Sequence, residues 1–170
     1  TLGIITAASV KLYPIPGEIT TLFIGVNSGE AIQFILKNMR KKYKNNIETF
    51  ELISKRALNF VTDFLPNIKT PLLKSHEYYL LIELSDSSVD QISNHLMSIT
   101  NFGFIEDVVI AKNKAEQDSL WLIRDSISAA QKHHGLSLKH DISVPIGDAI
   151  SFINYAEREV LNFLPSSRIV

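Results

Sequence analysis

Ile19-Thr-Thr-Leu-Phe-Ile-Gly-Val26, followed by Asn27-Ser28, sets the reading of the whole chain. Eight residues rich in β-branched and aromatic side chains favour a strand. The short polar side chains of Asn27 and Ser28 suit a helix N-terminus, because their oxygens accept from free amide groups there. Beyond them, Ala31, Ile32, Ile35, Leu36, Met39 and Tyr43 recur close to the 3.6-residue period, so the spacing predicts a helix.

The same alternation repeats along the chain. Strands are expected at 47–53, 78–84 and 104–111, with helices opened by Ser54, by the Asp86-Ser-Ser88 cluster and by Asn113. Glu116, three residues after Asn113, makes a variant capping box at the start of the longest helix, and Gly135 is expected to end it in a left-handed conformation. A fifth strand is predicted over 136–144 and a last helix from Asp148 through Leu161. Residues 1–13 read as a strand-like start, cut off by Pro14-Ile-Pro16-Gly17, which is the best domain boundary in the chain.

A doubly wound nucleotide-binding sheet would place phosphate-loop glycines after a strand, and neither G-x-G-x-x-G nor G-x-x-x-x-G-K occurs. The expected fold is therefore α+β: ferredoxin-like halves with a largely antiparallel sheet and helices packed on one face.

Composition narrows the function. The 170 residues suffice for one to one-and-a-half domains, and 45% hydrophobic with 21% charged residues is ordinary for a globular protein. A net charge of −1 gives no footprint for nucleic acid, and the basic run Arg40-Lys41-Lys42-Tyr43-Lys44 reads as a solvated helix end. The absence of cysteine rules out disulfides, thiolate catalysis and cysteine-held metals within this sequence. No apolar run approaches the roughly 20 residues that span a bilayer.

The chemistry concentrates in Leu120-Trp-Leu-Ile-Arg124 and Lys139-His-Asp-Ile-Ser-Val-Pro145. Arg124, Ser128 and Gln131 fall at i, i+4 and i+7 and share one helix face. Strand periodicity would put Ser137, Lys139, Asp141 and Ser143 on one polar side and His140 on the apolar side. An arginine fork beside a lysine suits a small carboxylate. The competing reading pairs Arg124 with a nearby acidic side chain at the surface and leaves Lys139 in water. His133 and His134 suit a helix C-terminus better than a metal pair, since adjacent helical residues point apart. His76 and His95 stand isolated, Trp121 is expected in the core, and Glu51 on an exposed strand face.

Thr1-Leu-Gly3-Ile4-Ile5-Thr6 resembles the closing segment of the FAD-binding domain in vanillyl-alcohol-oxidase-type flavoproteins. Four later stretches, in order, resemble the cap domain of the FAD-linked D-2-hydroxy-acid dehydrogenases, the branch containing D-lactate dehydrogenase, D-2-hydroxyglutarate dehydrogenase and the glycolate oxidase flavin subunit. They are Phe50-Glu-Leu-Ile-Ser54, Asp107-Val-Val-Ile-Ala111, Leu120-Trp-Leu-Ile-Arg124 and Lys139-His-Asp-Ile-Ser-Val-Pro145.

The resemblance implies that 1–15 end an FAD-binding domain and that 16–170 form a substrate (cap) domain truncated at its C-terminal side. It implies that Arg124 and Lys139 hold the substrate carboxylate, with Ser128 assisting, and that Gly3, Ile4 and Ile5 lie against FAD. A histidine outside the sequence would take the hydroxyl proton as hydride leaves C2 for the flavin, and a divalent metal would sit on residues after Val170. The segment alone would then be inactive. The electrons would pass to a quinone, a cytochrome or an electron-transfer flavoprotein, and a homodimer is one expected assembly. Lysine and asparagine richness points to a bacterium, hence the cytoplasm or the periphery of the inner membrane; a eukaryotic counterpart would sit in the mitochondrial matrix. Two other readings compete: a standalone ferredoxin-like ligand-binding module without catalysis, and a different vanillyl-alcohol-oxidase-type flavoenzyme.

Overall fold

A computed structural model describes residues 3–170. Its four strands are β1 (Ile19–Val26), β2 (Ile47–Ser54), β3 (Tyr78–Ser85) and β4 (Asp107–Ile110). The helices are α1 (Gly29–Tyr43), α2 (Lys55–Phe64), α3 (Val89–Thr100), α4 (Lys114–His133) and α5 (Ala149–Phe163). The strands form one sheet in the order β2-β3-β1-β4, and every neighbouring pair is antiparallel. β1-α1-β2 and β3-α3-β4 are thus two split βαβ halves interleaved through the central pair, the ferredoxin-like arrangement within an α+β fold.

The helix starts follow their capping chemistry. Ser28 Oγ accepts from the Ala31 amide and Ser54 Oγ from the Ala57 amide, each at 3.1 Å. Ser88 and Gln91 form a complete capping box on α3. At α4, Asn113 Oδ1 accepts from the Glu116 amide at 3.0 Å, while the Glu116 carboxylate reaches back to the amide of Lys112 at 2.8 Å. Gly135 follows α4 with φ 123°, a conformation open to glycine.

The sheet is covered on both faces. Leu22, Ile24 and Val26 of β1 and Leu80, Ile82 and Leu84 of β3 pack under α1 and α3. Phe23 of β1 and Tyr79 and Leu81 of β3 turn the other way, against Ala57 and Leu58 of α2 and Leu120 and Ile123 of α4. The expectation of helices on one face holds for the two crossover helices, while α2 and α4 add a layer opposite. The reason is visible in β1 and β3: both alternate sets of side chains are apolar, so leaving either face in water would expose large hydrophobic groups.

Gly25 lies at the end of β1 below His76, whose side chain is fully buried. A Cβ at Gly25 would come within 2.1 Å of His76 Cδ2. Gly25→Ala is expected to destabilise the fold by about 1–3 kcal/mol, the usual cost of overpacking a site that cannot relax. Chemical denaturation of the two proteins checks this; an unchanged midpoint would mean that the ring moves aside freely.

Two expected strands are not present. Residues 136–144 run as an irregular segment outside the sheet, with Leu138 at 91% and Ile142 at 64% exposure. Alternation specifies a strand only where a neighbour takes the backbone hydrogen bonds and one face meets a core, and here the apolar set meets neither. His140, expected on an apolar strand face, is accordingly exposed. In the strand-like start, Thr1 and Leu2 lie outside the described residues, and 3–17 form an exposed arm with no regular structure.

Candidate functional site

α4 carries the site because of how it is fixed to the sheet. Its apolar residues Leu120 and Ile123 enter the core beside Phe23. Two polar contacts on the same side anchor it. The Trp121 indole N–H donates to Glu83 Oε1 at 2.6 Å, and Arg124 Nη2 donates to Glu51 Oε1 at 3.2 Å. Trp121 and Arg124 are three residues apart and so project from the same side of the helix. Gln117 adds a third tie, donating to the Ile19 carbonyl at 2.7 Å.

Glu83 is held from both sides. Thr21 and Thr49 stand directly opposite it on the two flanking strands. Their hydroxyls donate to its carboxylate at 3.2 and 3.3 Å. With Trp121 this gives the carboxylate three donors, which offsets the cost of placing it against a helix.

One turn further along, Arg124 is half-exposed and meets two carboxylates: Glu51 from β2, and Asp125 at 3.5 Å from its own helix. The hydrogen bond and charge of Glu51, followed by Asp125, raise the guanidinium above its ordinary pKa. One of the fork's five N–H groups is spent on Glu51, which leaves others to donate outward. Ser128 lies one turn beyond, and Lys139 Nζ donates to its hydroxyl at 2.5 Å. The irregular segment therefore delivers Lys139 to the α4 surface without forming a strand.

Arg124 and Ser128 lie one helical turn apart on α4, and Lys139 reaches Ser128, while the Arg124 guanidinium itself meets Glu51 and Asp125. The acidic pairing considered for Arg124 is also present. Glu51 is the residue the sequence undervalued: it reads as an exposed charge in a strand, yet it meets the guanidinium. Its signal was the pair of carboxylates, Glu51 and Glu83, standing in strands whose neighbours are apolar. Trp121 is only partly a core residue, since its indole nitrogen serves Glu83.

Gly3, Ile4 and Ile5 lie on the exposed arm, Ile4 at 91% and Ile5 at 87% exposure. Open space surrounds the position where Gly3 would carry a Cβ.

The remaining histidines form no metal centre. His76 sits between Glu106 and Asp107, with its two ring nitrogens 4.0 and 3.9 Å from their carboxylates on opposite sides. His134 stacks on Phe60, and His133 packs against Phe64, where α4 ends. Among the described residues, no group of three or more histidine, aspartate or glutamate side chains is placed to hold a metal ion. No helix among them is long and apolar enough to cross a membrane.

The sequence that builds this α+β layer matches a known domain family. Residues 15–163 match the family described as FAD linked oxidases, C-terminal domain, and the chain belongs to that family. It is 26% identical over 166 residues to the D-2-hydroxyglutarate–pyruvate transhydrogenase of Saccharomyces cerevisiae, covering 95% of this chain and 33% of that protein. The mitochondrial D-2-hydroxyglutarate dehydrogenase of Arabidopsis thaliana is 25% identical over 157 residues, 90% of this chain and 28% of the relative. The D-2-hydroxyglutarate dehydrogenase of Stutzerimonas stutzeri is 25% identical across 100% of this chain and 36% of its own length. The chain spans about a third of the length of these curated relatives.

Proposed function

We propose that this chain is the substrate-side domain of a flavoprotein that oxidises a D-2-hydroxy acid, and that Arg124, Ser128 and Lys139 bind the substrate carboxylate. The observation that carries the reading is the Lys139 ammonium on the hydroxyl of Ser128, one helical turn along α4 from Arg124. Two cations and a hydroxyl in one region suit a carboxylate: the arginine can bind both oxygens and the lysine adds charge. Family membership and the names of the relatives support the reaction class, and among D-2-hydroxyglutarate, D-lactate and glycolate the proposal favours the first. Residues 1–15 would close the FAD-binding domain and 16–170 form the cap.

Gly3, Ile4 and Ile5 would contribute one edge of the flavin site through backbone and apolar contact. When bound, FAD supplies the acceptor for the two electrons leaving the substrate. The residues of this chain do positioning work. They hold the carboxylate so that the C2 hydrogen presents one face, and they offset the negative charge that would otherwise oppose binding.

Anaerobic bleaching of the flavin in the full-length protein, with D- and L-forms of 2-hydroxyglutarate and lactate and with glycolate, tests the proposal. Bleaching by a D-acid or glycolate that weakens on Arg124→Ala is expected. A full-length protein that binds no flavin, or whose flavin no hydroxy acid reduces, would overturn it in favour of a non-catalytic ligand-binding domain.

A further inference from the structure

Arg124 is the one cation of the row with a tie to the sheet, and that tie is Glu51. Asp125 also neighbours the guanidinium, but it rides on the same helix and would move with it. Glu51 sits in the edge strand β2, paired across to Leu81 of the central strand β3, and so is anchored in the sheet rather than on α4. We propose that Glu51 is a positioning residue for the substrate clamp: its carboxylate fixes the direction of the Arg124 fork so that the remaining N–H groups are aimed before the substrate arrives. This rests on the proposed carboxylate-binding role of Arg124.

The physical need is plain. A half-exposed arginine has side-chain rotamer entropy to lose when it is immobilised. If the substrate must impose that order, the loss appears as weaker binding; if Glu51 imposes it in the free protein, it does not. The contact of Trp121 with Glu83, one turn earlier and on the same side of α4, prevents the helix from rolling and so fixes where the arginine begins. The two carboxylates, diagonal to one another across β2 and β3, thereby set both the root and the tip of the Arg124 side chain.

Charge bookkeeping makes the inference testable by sign. Arg124, Lys139, Glu51 and Asp125 together sum to zero. Removing the Glu51 carboxylate leaves a net positive site, and electrostatic attraction alone would then bind an anionic substrate more tightly. A positioning role gives the opposite result, because the unanchored fork must be ordered by the substrate.

The experiment uses the full-length flavoprotein and whichever of D-2-hydroxyglutarate, D-lactate and glycolate reduces its flavin. Steady-state KM and kcat are measured for Glu51→Ala, Glu51→Gln, Arg124→Ala and the Glu51→Ala/Arg124→Ala double variant. Glu51→Ala is expected to raise KM roughly tenfold with a smaller change in kcat, within the range of coupling between contacting residues. Glu51→Gln keeps an acceptor oxygen and is expected to recover most of that loss. In the Arg124→Ala background, Glu51→Ala should bring no further loss and relieve the repulsion of the unpaired carboxylate, whereas a merely structural role would add its cost in both backgrounds. A KM that falls or stays level in Glu51→Ala while Arg124→Ala raises it overturns the positioning role alone. An Arg124→Ala enzyme with unaltered kcat/KM overturns the carboxylate-binding role of Arg124, and the proposal for Glu51 with it.

Discussion

Arg124→Ala in the proposed full-length flavoenzyme is expected to lower kcat/KM for the hydroxy acid that reduces its flavin by about 2–4 kcal/mol of transition-state binding, chiefly through a raised KM. The magnitude follows from two losses that coincide. The substrate carboxylate forfeits a charged, directional donor, and Glu51 is left on its strand facing the incoming anion with no cation between them. Lys139 cannot replace the fork, because an ammonium on an irregular segment offers a point charge without planar geometry. Lys139→Ala is expected to act in the same direction, and under the proposal that both cations serve one carboxylate its effect should not add to that of Arg124→Ala. Steady-state kinetics on the single and double variants decide the matter. An unchanged kcat/KM in Arg124→Ala would remove that residue from the site.

The largest effect on stability is expected at Phe23. Its side chain is fully buried on a central strand and stacks on Tyr79 with ring centroids 5.6 Å apart. Leu120 and Ile123 of α4 belong to the same cluster, so a cavity there would open beneath the helix that carries the site. Phe23→Ala should cost about 3–5 kcal/mol, as is typical of deleting a buried aromatic ring. Against a total of about 5–15 kcal/mol for a domain, that is a large share of what holds the fold together. Urea denaturation gives the comparison, with Leu138→Ala on the exposed segment as a control expected to stay within about 0.5 kcal/mol of the parent. A Phe23→Ala midpoint close to the parent's would show that the α2–α4 layer closes over the cavity.

What the sequence made legible follows from local rules. Caps at Ser28, Ser54, Ser88 and Asn113 place four helix starts, because a side-chain oxygen two or three residues from a free amide is a purely local device. The spacing of Arg124 and Ser128 likewise needs only helical geometry. The segment 136–144 misled because alternation says nothing about whether a partner strand exists, and that depends on the rest of the sheet. The second helical layer was implicit in the two apolar faces of β1 and β3, but only the strand order shows that both lie at the centre. Glu51 and Glu83 were readable as charges out of place, whereas their partners, 73 and 38 residues away along the chain, were not.

The two helical layers lie on opposite faces of the sheet, and this divides the molecule's tolerance for change. Substitutions beneath α1 and α3 act on how long the protein stays folded and leave the clamp's geometry alone. Substitutions beneath α2 and α4 alter durability and chemistry together. A lineage under pressure to survive heat can therefore rebuild the first layer freely, while one adapting to a new acid must work in the second, where each gain in fit is also a wager on the fold.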